Sequence, residues 1–210
     1  MSYHHPFEVI GFHSCDKEIG MAILNGDYDL IPSNNTWDWL GDGIYFWEQN
    51  PNRALEYALN SAMGIQFNKV PIKTPFVLGA ILELGHCLNL VEHGALRLLS
   101  ETYNEMEKVY KVAKLPMPVN KDTRRELDCA VIKYIHQTNK TEGKRNFDSV
   151  RCAFGEGLLA YPTSNFSSQL HMQVCLKTPD LIKGYFLPKP LNQFNPYLKT
   201  PFDKRAIAGF

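Results

Sequence analysis

The chain has 210 residues, with 22 lysines and arginines set against 22 aspartates and glutamates. That balance removes any global electrostatic draw toward nucleic acid or an anionic membrane, and the length suits one domain with a sizeable core. No apolar run reaches transmembrane length, and no basic-then-apolar leader opens the chain, so a cytoplasmic protein is expected. Five cysteines (Cys15, Cys87, Cys129, Cys152, Cys175) stand singly. Their odd number and spacing argue against a disulfide framework or a zinc knuckle.

Phe7 to His13 alternates loosely and predicts a first strand ending in a His and a Ser. A helix opens near Cys15–Glu18, with Ile19, Ala22 and Ile23 at helical spacing, and Asn25-Gly26 ends it. A polar loop over 31–36 leads into Trp39-Leu40-Gly41-Asp42-Gly43-Ile44-Tyr45-Phe46-Trp47. Here two glycines flank an acid, and a β-branched and aromatic run leaves the turn as a strand. Asn50 and Pro51 suit the N-cap and first position of a helix over 51–68. Phe76 to Leu84 reads as a fully buried strand.

Two helices are expected over 91–114 and 122–137, separated by Leu115-Pro116-Met117-Pro118, as an insertion spanning about 91–138. Residues 138–148 read as an exposed, basic-leaning loop. Residues 151–168, with two glycines and a proline, read as a mobile loop carrying Glu156. Gln169 to Leu176 alternates apolar Leu170, Met172, Val174 and Leu176 with polar Gln169, His171 and Gln173. A last apolar stretch covers 181–187. The order predicts an α+β fold in a single domain over 1–210. His13, Tyr45 and the polar face around His171 and Gln173 occupy strand positions where apolar residues are expected.

Phe12-His13-Ser14, Gly41-Asp42-Gly43-Ile44-Tyr45-Phe46, Arg53-Ala54-Leu55-Glu56-Tyr57 and the late strand through Gln173 together resemble the ADP-ribosyltransferase fold. The resemblance is to its diphtheria-toxin-like branch, which includes the poly(ADP-ribose) polymerases. Small bacterial proteins of this fold carry a similar Trp-Leu-Gly-x-Gly-Ile-Tyr-Phe and a late His-x-Gln strand. The resemblance implies a split β-sandwich of two small packed sheets with peripheral helices. It further implies a transferase that cleaves NAD, its substrate, without a metal and passes one ADP-ribose to a macromolecule, a protein rather than RNA or DNA.

In that picture His13 hydrogen-bonds a ribose hydroxyl. Ser14 stands where the family has a Gly whose backbone grips the carboxamide, Gly43 lets the ligand approach, and Tyr45 stacks on the nicotinamide. Trp47 or Tyr57 closes the other side of the ring. Arg53 and Arg151 meet the pyrophosphate. Gln173 takes the place of the family's glutamate and cannot act as a base, so Glu156, or His171 if the register slips by two, becomes a substitute. The alternative is a module of the same fold that binds NAD or ADP-ribose without turning it over.

Overall fold

The computed structural model describes residues 8–66 and 70–204. In chain order come β1 (Glu8–Asp16), α1 (Lys17–Asn25), β2 (Ile44–Glu48), α2 (Pro51–Met63), β3 (Pro75–Glu83) and β4 (Cys87–Asn89). Then follow α3 (His93–Ala113), β5 (Asn120–Lys121), β6 (Arg124–Arg125), α4 (Glu126–Thr141), β7 (Ser149–Leu159), β8 (Ser167–Leu176), β9 (Ile182–Phe186) and α5 (Leu191–Phe194). The fold is α+β. Seven strands form one mixed sheet in the order β4-β7-β8-β2-β1-β3-β9, and β5-β6 makes a separate two-stranded ribbon.

The first two helices begin and end where local chemistry stops them. The Asp16 side chain accepts from the Glu18 N–H at 3.0 Å and so caps α1, while Gly26 closes it with φ 80°. Asn50 caps α2 through the Arg53 N–H, Pro51 takes the first helical position, and Gly64 ends the helix at φ 79°. The helix therefore stops short of residue 68.

Alternation along the strands sorts the core between two faces. Cys15, Ile44, Phe46, Phe76, Leu78, Val174 and Leu176 join Ile23 of α1 on one face. On the other, Phe12, Trp47 and Val77 pack on Ala54 of α2. Leu40, Val150 and Cys175 pack there on Ile132 and Ile135 of α4. Phe46 and Phe76 are fully buried, each contributing about 2–3 kcal/mol of transfer free energy.

The pairing is uneven. β1 and β3 register over nine residue pairs, yet β1 and β2 register only at Gly11–Glu48 and Phe12–Trp47. The sheet thus consists of a β9-β3-β1 part and a β2-β8-β7-β4 part joined at a narrow seam. Two small packed sheets were expected; among the described residues there are this seven-stranded sheet and the small β5-β6 ribbon.

Three local expectations need correction. Residues 151–168 are only in part a loop: β7 runs to Leu159 and β8 begins at Ser167, pairing from Ser149–Leu176 out to Leu159–Ser167, and 160–166 connect them. The second insertion helix starts at Glu126, since 120–125 fold back as the ribbon, and it runs on to Thr141 into the segment read as loop. The first strand continues beyond His13 to Asp16. Phe7 lies outside the described residues.

Candidate active site

His13 sits where β1 loses its partner. Its half-buried ring lies beside Phe46, with centroids 5.7 Å apart, and its Nδ1 is 2.8 Å from the Tyr45 carbonyl. A carbonyl only accepts, so Nδ1 carries the proton and the lone pair is left on Nε2. Burial pushes the His13 pKa down, which keeps the ring neutral. Nε2 has no partner among the described residues. The ladder step that would follow Phe12–Trp47 is Ser14 opposite Tyr45. That step is absent, and the imidazole takes the tyrosine's carbonyl instead.

Tyr45 meets His13 through its backbone, while its ring points to the opposite side of β2 from Phe46. The phenol packs on the Leu40, Val150 and Cys175 cluster. Its hydroxyl donates to the Gly41 carbonyl at 2.7 Å and accepts from the Leu40 N–H at 2.9 Å. Desolvation holds its pKa well above the ordinary tyrosine value. Lys177 closes the same turn from outside, donating to the carbonyls of Leu40 at 2.7 Å and Asp42 at 2.6 Å. Gly43 has φ 149°, and a Cβ there would lie 2.4 Å from the Leu176 carbonyl oxygen. The close approach that requires glycine at 43 is that of β8. Ser14 is buried, and its hydroxyl donates to the Ala54 carbonyl, tying β1 to α2.

On the face of Tyr45 and Trp47, a cross-strand row runs Phe12, Trp47, Gln173, Cys152. This fixes the register: Gln173, not His171, stands opposite Trp47. Trp47 and Tyr57 lie against each other with ring centroids 5.0 Å apart, and the Trp47 indole nitrogen is buried without a hydrogen-bond partner.

Beyond that row the hairpin and α2 share a polar network. Arg53, nearly buried, places Nη2 2.6 Å from Glu156 Oε2 and Nη1 3.3 Å from Glu56 Oε2. Its Nε has no partner. The Gln169 amide donates to Glu56. His171 is buried, with Nδ1 2.7 Å from the Gln169 carbonyl and Nε2 3.0 Å from the Gln173 amide nitrogen. Its Nε2 also lies 3.9 Å from Glu156 Oε2. Desolvation pushes the His171 pKa down.

The structure thus gathers two groups among the expected site residues. His13, Ser14 and Tyr45 meet at the seam, and Arg53, Glu156, His171 and Gln173 meet at the hairpin, with Trp47 and Tyr57 between them in the row. Glu156 belongs to a strand and is held by an ion pair. Arg151 does not join: its guanidinium forks onto Glu48 at 2.5 and 3.0 Å and reaches Asn89 at 3.2 Å, a bidentate bond that occupies it.

Glu56, Gln169 and Lys177 escaped the sequence reading. The i, i+3 spacing of Arg53 and Glu56 on one helix face was the available signal for the first. Two cavities, of about 670 and 400 Å³, lie along the insertion helices, and neither is lined by His13, Tyr45 or Gln173. Among the described residues no group of three or more His, Cys, Asp or Glu side chains could hold a metal ion. Nor is any helix there long and apolar enough to cross a membrane.

No protein-family model matches the chain, and no solved structure does. A curated relative is the uncharacterized protein MJ0359 of Methanocaldococcus jannaschii. It is 26% identical over 207 residues, covering 87% of this chain and 90% of that protein.

Proposed function

We propose that the chain is an ADP-ribosyltransferase-like domain that cleaves the nicotinamide–ribose bond of NAD and transfers one ADP-ribose to a protein. In this reading the narrow β1–β2 seam is the split of the β-sandwich. One observation carries it: where the β1–β2 ladder stops, the neutral His13 ring donates to the Tyr45 carbonyl and keeps Nε2 without a partner among the described residues. That atom accepts from a ribose hydroxyl and fixes the sugar. Beside it, the Ser14 backbone at the lost ladder step offers an N–H and a C=O to the carboxamide. Tyr45 contributes its backbone carbonyl to the seam, its ring being held in the core on the opposite face of β2.

Breaking the glycosidic C–N bond leaves a cation-like sugar, and Gln173 orients its hydroxyls. An acceptor nucleophile then bonds to C1′ as nicotinamide departs. The balanced charge gives nucleic acid no preference as acceptor, and five unpaired cysteines suit a reducing cytoplasm.

The test is nicotinamide release from NAD. The reading expects turnover by the wild-type chain, falling at least about 100-fold in His13→Ala. Equal turnover in both would remove the site. One feature favours the second reading, a module that binds NAD or ADP-ribose without chemistry: Gln173 carries no charge and Glu156 is bound to Arg53. Binding of a non-hydrolysable NAD analogue without any nicotinamide release would select it.

A further inference from the structure

His171 is buried among groups that leave it one use. Its Nδ1 lies 2.7 Å from the Gln169 carbonyl, which only accepts, so the proton is on Nδ1 and Nε2 bears a lone pair. The Gln173 side-chain nitrogen is 3.0 Å from that lone pair and donates to it. Of the two ends of the Gln173 amide, the nitrogen is thereby committed. Oε1 has no partner among the described residues and is not among the buried orphaned atoms, so solvent reaches it. An unheld glutamine amide presents either end with little preference.

We propose that His171 is a positioning residue that reads out as Gln173 polarity: its bare Nε2 pins the amide nitrogen and presents the Gln173 carbonyl as an acceptor for a ligand hydroxyl. The class of group selected is a hydrogen-bond donor, such as a sugar hydroxyl, and not an anion. The assignment of that hydroxyl to the NAD ribose rests on the reading above, whereas the pinned amide does not.

The arrangement has a built-in acid limit. A proton on Nε2 removes the lone pair, and the Gln173 amide must then turn its oxygen inward and its donor outward. The charged groups facing the ring are Glu156 from β7, 3.9 Å from Nε2, and Arg53 and Glu56 from α2. The two carboxylates favour protonation and Arg53 opposes it, while burial is the largest influence and also opposes it. Phe154 covers the ring from the neighbouring strand, with centroids 6.1 Å apart.

The experiment uses the full chain with ring-¹⁵N-labelled histidine, followed by two-bond proton–nitrogen correlation from pH 7.5 to 5. His171 is expected as a neutral ring protonated at Nδ1, with an Nε2 signal that moves in Gln173→Ala. A proton on Nε2, or a signal indifferent to Gln173→Ala, overturns the proposal.

In parallel, affinity for a non-hydrolysable NAD analogue is measured. It should fall about tenfold in Gln173→Ala and in His171→Phe, and no further in the double variant. Full additivity of the two losses also overturns it. Gln173→Ala leaves the buried histidine in place, so the test stands even if His171→Phe does not fold. In the wild type, binding should weaken as the pH falls through the His171 titration, and Gln173→Ala should lack that limb. If the nitrogen signals are as expected but no analogue binds, the reading as an NAD enzyme fails and the pinned amide survives.

Discussion

The β1–β2 seam and the β7–β8 hairpin both lean on α2, but by opposite means. At the seam, α2 offers Ala54 to Phe12, Trp47 and Val77, and the side-chain polar links named there, the Ser14 hydroxyl on Ala54 and the His13 ring on Tyr45, both end on backbone carbonyls. At the hairpin the same helix offers Arg53 and Glu56, which bind Glu156 and Gln169 through their side chains. The seam is therefore built from backbone geometry and close packing, and it leaves His13 Nε2 without a partner among the described residues. The hairpin is built from charges that satisfy one another. A site whose polar groups must be oriented suits the hairpin.

This contrast is broken most severely at the glycine turn. Gly43→Ala puts a side chain against the Leu176 carbonyl at a φ that L-residues rarely adopt. A loss of about 4 kcal/mol in urea unfolding is expected. A loss below 1 kcal/mol would mean that β8 does not pack on the turn as described.

Arg53→Met tests the hairpin. It strands Glu156 and Glu56 beside a buried methionine, and a loss of about 2 kcal/mol is expected, discounted because both carboxylates keep some solvent. The exposed Arg97–Glu101 pair on α3 is the control, and Arg97→Ala should change stability by less than about 0.5 kcal/mol.

The gentlest probe is acid. His13, His136 and His171 all have pKa values lowered by burial, that of His136 to about 4. The unfolded chain binds these protons first, near pH 6.5, so the stability they give is whole above that pH. It is lost as the pH falls toward the folded-state values. The urea midpoint should decline gradually from pH 6.5 to 4, and the decline should shrink in His136→Phe. A midpoint that is flat over that range would contradict the buried, neutral rings.

The elements flanking the seam were legible in the sequence because their signals are local, whereas the point at which β1 and β2 part was not. A glycine turn, an aromatic strand and an Asn-Pro cap fix Tyr45 and α2 without reference to distant residues. The hairpin was not legible in the same way. Gly155, Gly157 and Pro162 imitate a loop, and only the alternation of Cys152, Phe154 and Glu156 against Gln169, His171 and Gln173 shows that the two runs pair. Arg53 and Glu156 lie 103 residues apart, and no spacing rule joins them. Arg151 and its partner Glu48 are likewise 103 residues apart, so no local spacing shows that the guanidinium is occupied. Gly43 was rightly singled out, but its physical cause is a neighbouring strand.

The most direct measurement is a crystal structure of the chain with a non-hydrolysable NAD analogue. The account predicts the nicotinamide end at the seam, with a ribose hydroxyl within hydrogen-bonding distance of His13 Nε2. An analogue seated in the cavities along α3 and α4, with His13 Nε2 still without a partner, would contradict it.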